Sequence, residues 1–535
     1  MPELKNIMTV SSTSRPSDRN LGIVYTPPEI ADAIVEEVVA RSAANLVAVL
    51  EPSVGDGSFL DSLNRIGLLD RVTALDVDDR AVERVRARLA GVHIEVGEFL
   101  AYAASTEKRF DLVIGNPPYI RRKNFGNDLK SEIEALAERR GYPRANLKNA
   151  WSAFLVASEA LLTDDGKLAF VVPYELMNVD YGIAIQRWLV ERFARLDIYI
   201  PDEKAFKQID QDAVLLLACK RCEPKGAFVR RVASLQALSS EPRAVDLNTQ
   251  GETSINLKGF LLESDVLEQV RELVGASPSI SDFCRSGAGI VTAANDYFIL
   301  TDEAVRKQEL DRWARPILKK SAYLGSGPIF TAKDFDRVRA SLPANLIDLN
   351  AYDEESPDTA VETYLDRGRK SGIPNSYKAR HRTQWYKVPV TWLGEGFFFK
   401  RSHAYPRLCV NAAGVHVTDT AYSIAPIAPA TIRGICFSFY NSATLLMSEI
   451  EGRFYGGGVL ELTPNEFRRL PLYYDEPNDD EFAAFCSQDV WSNPIGLALR
   501  GDERLIARHG FDKATVEALH EAWKTLRSHR LRHGR

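Results

Sequence analysis

Phe110-Asp111-Leu112-Val113-Ile114-Gly115-Asn116-Pro117-Pro118-Tyr119 is the stretch that decides the fold. Its first half is an apolar run of strand length. The two prolines that follow fix φ and remove two N–H donors, which stops any strand there. Working outward, strand and helix patterns alternate. Upstream are an amphipathic helix over 28–40 with prolines in its first turn, a strand over 46–50, a helix from Phe59, a strand over 72–75, a charged helix over 80–89 and a strand over 93–96. Downstream are a helix over 151–162, a strand over 167–172, a helix over 184–193 and strands over 196–200 and 213–218. Strands alternating with helices of about ten to fifteen residues predict an α/β fold, a doubly wound and mostly parallel Rossmann-like sheet. The last two strands are too close for an intervening helix and predict an antiparallel edge pair.

Beyond residue 230 the glycines and aromatics become denser and the strands shorter. The expected organisation is a flexible arm over 1–20, a catalytic domain over 21–230, a connector over 231–275, an α+β recognition domain over 276–475 and a helical segment over 476–535 that ends in a frayed basic tail, 527–535. Apolar residues make up 45% and charged residues 26%, and no run of about 18 apolar residues suggests a membrane span. Six cysteines, scattered apart from Cys219 and Cys222, do not make a disulfide framework. That pair has no second pair or histidines at zinc spacing, so two reduced thiols and a cytoplasmic location are expected, with no metal site.

Residues 49–59, Val-Leu-Glu-Pro-Ser-Val-Gly-Asp-Gly-Ser-Phe, read as a strand, a glycine turn and a helix. Gly55 and Gly57 allow close approach of a ligand to the backbone. Asp76, twenty-five residues after Glu51, stands where an acid can hold two ribose hydroxyls. NAD is the competing ligand, but the turn lacks the full G-x-G-x-x-G, and Glu51 with Asp56 places acids where a pyrophosphate would lie. A sulfonium ligand bearing an ammonium tolerates that field, which favours S-adenosylmethionine.

The decisive motif falls at the carboxyl end of a strand, where ligands gather in such sheets. The Asn116 side-chain oxygen and the Pro117 carbonyl become two preset acceptors, because Pro117 and Pro118 stiffen the turn. That arrangement suits an aromatic amino group. Accepting both N–H bonds pulls the nitrogen toward sp³ and frees its lone pair for in-line attack on a methyl group. No strong general base is needed, since the proton becomes acidic as the bond forms. Tyr119 offers a flat face for a stacked base.

Taken in order, Thr26-Pro27-Pro28-Glu29, the glycine turn, Asp76 and Asn116-Pro117-Pro118-Tyr119 resemble the gamma-class N6-adenine-specific DNA methyltransferases of bacterial type II restriction–modification systems. The resemblance covers residues 20–221 well and the remainder loosely. It implies that Thr26 holds the methionine end of the cofactor, Glu51 its ammonium, Ser53, Gly55 and Gly57 the turn beside it, and Asp76 its ribose. Glu98 and Phe99 match the acid and aromatic around the cofactor adenine, although the family usually has aspartate at the first. Phe206 matches the aromatic that sandwiches a flipped base against Tyr119, because an enzyme acting on a base amino group must take that base out of the stack. The implied partner is double-stranded DNA. The implied protein is a monomer whose cognate restriction endonuclease acts on the same site without a stable complex.

Net charge is −6, but from Tyr364 to Arg407 ten Lys or Arg face two acids, a local charge of +8 with interleaved aromatics. Such a strip suits phosphates, with Arg367, Arg369, Lys370, Arg380, Arg382, Lys400 and Arg401 as the candidates. Tyr455-Gly456-Gly457-Gly458, with Leu462 and Pro464, resembles a stretch near the end of the family's recognition domain. Glutamine-amide methyltransferases of proteins share N-P-P-Y but do not need about 300 further residues. N4-cytosine enzymes usually place serine where Asn116 stands. The complete motif set argues against a DNA-binding protein without catalysis, and no fused nuclease is expected.

Overall fold

In the computed structural model the described residues are 24–41, 46–202, 212–238, 243–245, 277–325, 327–455, 458–487 and 491–532, with scattered positions between 262 and 275. They form two compact units that divide near residue 257.

The first unit is built on nine strands: β1 (Val49–Glu51), β2 (Val72–Asp76), β3 (His93–Val96), β4 (Phe110–Gly115), β5 (Leu162–Pro173), β6 (Arg195–Pro201), β7 (Ala213–Cys219), β8 (Gly226–Val232) and β9 (Arg243–Val245). Their order is β3-β2-β1-β4-β5-β7-β6-β8-β9. β1 pairs in parallel with β2 and β4, and β4 with β5, so the strand order reverses beside β1. A crevice at the carboxyl ends follows from such a reversal. Val49, Leu50, Val113 and Ile114 are fully buried, as strands covered on both faces require. The Asp111 carboxylate ties the start of β4 to its neighbours. It accepts from the Val47 and Ala48 amides at 3.0 and 3.1 Å and from the Thr163 hydroxyl at 3.2 Å.

Two expectations change here. β6 and β7 are antiparallel, but they lie inside the sheet, because β8 adds in parallel to β6 and β9 adds beyond it. β8 escapes sequence reading because two of its members are Arg230 and Arg231. Arg230 is buried against Asp197 on β6, which also takes Arg41 and Arg195. These guanidiniums, Arg195 foremost, hold the Asp197 carboxyl below its ordinary range against the opposing effect of burial. The second correction is that Cys219 and Cys222 are joined as a disulfide rather than left as thiols. Among the described residues no helix is long and apolar enough to cross a membrane.

The second unit holds an antiparallel sheet ordered Cys284–Ala288, Ala421–Pro426, Gly396–Phe399, Arg407–Val410. A second four-stranded sheet contains Ile299–Leu300, Asn345–Ile347, Ala314–Leu318 and His416–Val417. The C-terminal residues are not a separate segment. Trp491, Leu497 and Trp523 share one core with Ile280, Phe398 and Phe467. Nor is the basic end frayed over its described part, since the helix Lys513–Arg532 buries Arg530 completely. Arg530 makes a bidentate pair with Glu449 at 2.7 and 2.8 Å, and also donates to the Gly458 carbonyl at 2.6 Å and to that of His403. The Gly458 carbonyl is thus satisfied by the C-terminal helix.

Candidate active site

A cavity of about 450 Å³ opens at the carboxyl ends of β1, β2, β3 and β4. Thr26, Ser53, Gly55, Asp76, Glu98, Phe99, Asn116 and Pro118 line it. Glu51, Gly57, Pro117 and Tyr119 are not among its lining residues, and Phe206 lies outside the described residues.

Gly55 has a φ of +59° and Gly57 of +88°, conformations that disfavour any other residue. A Cβ on Gly55 would lie 3.2 Å from the Tyr25 ring. A Cβ on Gly57 would lie 2.6 Å from the Arg88 guanidinium, which donates at 2.7 Å to the Asp56 carbonyl. Gly57 therefore makes room for the clasp that holds the turn, and of the two glycines Gly55 is the one that lines the cavity. Asp76 braces the same turn. Its two oxygens accept from the Gly55 and Asp78 amides at 2.7 and 2.9 Å.

Glu98 is the N-cap of the helix Phe99–Ser105 and accepts from the Ala101 amide at 2.9 Å through Oε2. Burial, the largest influence, pushes its carboxyl above the ordinary value. Phe99 packs on Phe154, with ring centroids 4.8 Å apart, and both line the cavity.

Glu51 is fully buried behind the turn, and both its oxygens lack a hydrogen-bond partner. Burial first, and then the charges of Asp56, Asp76 and Asp61, hold its carboxyl well above the usual range.

Asn116 is held on three sides. Its Nδ2 donates to the Val24 carbonyl at 2.9 Å and to the Thr26 hydroxyl at 3.1 Å. A carbonyl can only accept, so this contact fixes which end of the amide is nitrogen. The Asn116 carbonyl accepts from the Ser53 hydroxyl at 3.1 Å, while Oδ1 is buried without a partner. Ser53 thus supports Asn116 as well as lining the cavity. The Tyr119 hydroxyl donates at 3.2 Å to the Val171 carbonyl, and only 8% of the residue is exposed.

Sequence reasoning missed Val24, Tyr25, Ile120, Phe154 and residues 127–129, which also line the cavity. Tyr25 adjoins the Thr26 motif and Phe154 lies on a helix that was read. Residues 127–129 begin a largely polar helix, Asn127–Arg140, that buries only Ile133, Leu136 and Ala137 and left no readable stripe.

In the second unit the basic strip separates into different environments. Arg367, Arg369, Lys370 and Arg380 are exposed. Lys370 pairs with Asp366 at 2.9 Å and Arg401 with Glu461 at 2.8 Å, while Lys400 is half-buried. Arg382 is committed within the domain: its guanidinium donates to the carbonyls of Val291, Thr292 and Trp385 at 2.8, 2.9 and 3.1 Å. Most of the interleaved aromatics are core, since Tyr364, Tyr386 and Phe397 to Phe399 are buried, whereas Tyr377 and Trp392 are exposed. Replacing Arg382 with Gln is expected to cost about 1–3 kcal/mol of stability through unpaired carbonyls. Denaturant unfolding measures this, and an unchanged midpoint would contradict the assignment.

Comparison with known proteins follows the same division. Residues 72–206 match the family model "Eco57I restriction-modification methylase", and residues 256–501 match "Type II methyltransferase M.Eco57I, C-terminal domain". The chain belongs to the Eco57I restriction–modification methylase family. It is similar to the type II methyltransferase M.XamI of Xanthomonas campestris pv. amaranthicola, at 23% identity over 84% of this chain and 85% of that one. It is also 23% identical to M.AccI of Acinetobacter calcoaceticus, over 83% and 84% of the two chains. Among solved structures, the type IIL restriction-modification enzyme MmeI in complex with DNA shares the fold, with a TM-score of 0.55 at 12% identity over 97% of this chain and 76% of that chain. As a member of this family the chain is a DNA methyltransferase dependent on S-adenosylmethionine.

The residues present fit that cofactor. The two orphaned Glu51 oxygens lie in a buried acidic corner suited to an ammonium, and Asp76 and Gly55 both stand at the cavity wall. A carboxyl raised by burial is protonated more readily in the fold than in the unfolded chain. The stability it contributes is present below the ordinary value of 4.5 and is lost as pH rises through the higher folded value. A bound ammonium would favour the ionised form, and a cofactor held by Glu51 would then release a proton from it on binding. Affinity for the cofactor is expected to rise with pH above that ordinary value, and Glu51→Gln is expected to flatten the rise. Calorimetric titrations in buffers of different ionisation enthalpy measure the released proton. An identical profile in the variant would contradict the role of Glu51.

Proposed function

We propose that this chain methylates the N6 amino group of an adenine flipped out of duplex DNA. The observation that carries the reading is the Asn116 side chain, anchored through Nδ2 with its buried Oδ1 unpartnered. An acceptor locked in place before substrate arrives costs no reorganisation when charge develops on the amino nitrogen. S-adenosylmethionine, when bound, supplies the electrophilic methyl group. Thr26, Glu51, Ser53, Gly55, Asp76, Glu98 and Phe99 hold it at the cavity. Asn116 Oδ1 and the Pro117 carbonyl take the two amino hydrogens and orient the nitrogen lone pair. Tyr119 and Phe206 stack on the extruded base. Arg367, Arg369 and Arg380 supply phosphate contacts from the second unit, with a cognate endonuclease as the separate counterpart.

Nucleoside analysis of duplex DNA incubated with the purified chain and the labelled cofactor tests the reading. N6-methyladenine is the expected product. N4-methylcytosine would move the acceptor to the other amino base, and label in protein alone would overturn DNA as the substrate.

A further inference from the structure

The second unit carries a groove of about 740 Å³ whose lining includes Ser281, Arg285, Ser286, Trp392 and Arg468. This is the size of a site for a small organic ligand or nucleotide, not for a lone ion. Its described walls hold two guanidiniums and no carboxylate. Arg285 is exposed, and its side chain has no hydrogen bond or ion pair among the described residues. Arg468 is oriented without being neutralised. Its Nε and Nη2 donate to the hydroxyl and carbonyl of Ser286 at 3.2 and 3.0 Å, and its Nη1 to the Asn465 side-chain oxygen at 3.4 Å.

Trp392 supplies the apolar surface. It is 44% exposed, and its indole is seated on Gly287, where a Cβ would lie 3.3 Å from Nε1. Lys370 and Arg401, by contrast, already face carboxylates, and Arg382 is spent on carbonyls. Arg285 and Arg468 line one groove together with an open indole, whereas Arg380, beside the exposed Tyr377 ring, is not among the residues lining that groove.

We infer that this groove grips the DNA backbone, with phosphates on Arg285 and Arg468 and a deoxyribose against Trp392. A sulfate-like anion would use the cations and leave the indole idle, whereas a phosphodiester strand presents charge and an apolar ring side by side. A base need not leave the stack for this contact, so it adds affinity and register without reading sequence. The inference rests on DNA being the substrate.

The test is a salt titration of duplex binding by the full-length chain, with two long duplexes of unrelated mixed sequence. Arg285→Gln is expected to weaken both about equally and to lower the slope of log K against log salt by about one. Trp392→Ala is expected to weaken both without changing the slope, and Trp392→Phe to restore most of the loss. Wild-type affinity and slope in Arg285→Gln would overturn the groove. A wild-type chain that binds neither duplex would overturn the DNA reading itself, a result visible without any variant.

Discussion

Replacing Asn116 with alanine is expected to lower the rate of methyl transfer at saturating substrates by about 100- to 1,000-fold, the scale on which a single preorganised hydrogen-bonding group contributes to a transition state. The effect comes from losing Oδ1, the acceptor aimed at the amino group. Nδ2 is lost with it, which releases the anchor to Val24 and Thr26. Asn116→Asp separates the two contributions. It keeps an acceptor but turns a carboxylate oxygen toward the Val24 carbonyl, so a smaller loss is expected than with alanine. Single-turnover transfer of labelled methyl measures both variants. A near-normal rate for Asn116→Ala would remove this side chain from the mechanism.

The second large effect is on folding. Glu449→Ala leaves the fully buried Arg530 guanidinium without its bidentate partner. An uncompensated buried charge costs about 3–5 kcal/mol, which for a unit of this size shifts the thermal transition by roughly 10 °C. Replacing both residues with apolar ones of similar volume, as in Glu449→Leu with Arg530→Met, is expected to recover much of the loss, because neither charge is then buried alone. Calorimetry of the single and double variants reads this directly. A transition in Glu449→Ala that stays within a degree of wild type would show that the pair contributes nothing.

The catalytic half was legible because its strands are short apolar runs that stop where chemistry begins. β4 runs into Asn116, and β2 ends at Asp76, which both lines the cavity and braces the glycine turn. Side-chain bookkeeping inside the fold was less legible. Gly57 looked like a ligand-facing glycine, but spacing alone does not reveal that it accommodates Arg88. β8 was hidden because Arg230 looks like surface until Asp197 is placed opposite it. The same ambiguity affected the second unit. Interleaved aromatics and cations mark a nucleic-acid surface only when they are exposed, and Tyr364, Tyr386 and the three phenylalanines turned inward. Arg285 and Arg468 were overlooked because they lie 183 residues apart and meet only in the folded chain.

The anchor between Thr26 and Asn116 joins residues 90 positions apart in the chain. Under the proposed reading, Thr26 belongs to the methyl donor's seat and Asn116 to the acceptor's. One hydrogen bond then makes the two seats parts of a single lever: whatever settles one restrains the other. A donor that steadies Thr26 improves the berth for the base, and by thermodynamic reciprocity a docked base tightens the hold on the donor. Under that reading, synergy between the two substrates is the expected outcome, each binding more tightly in the presence of the other.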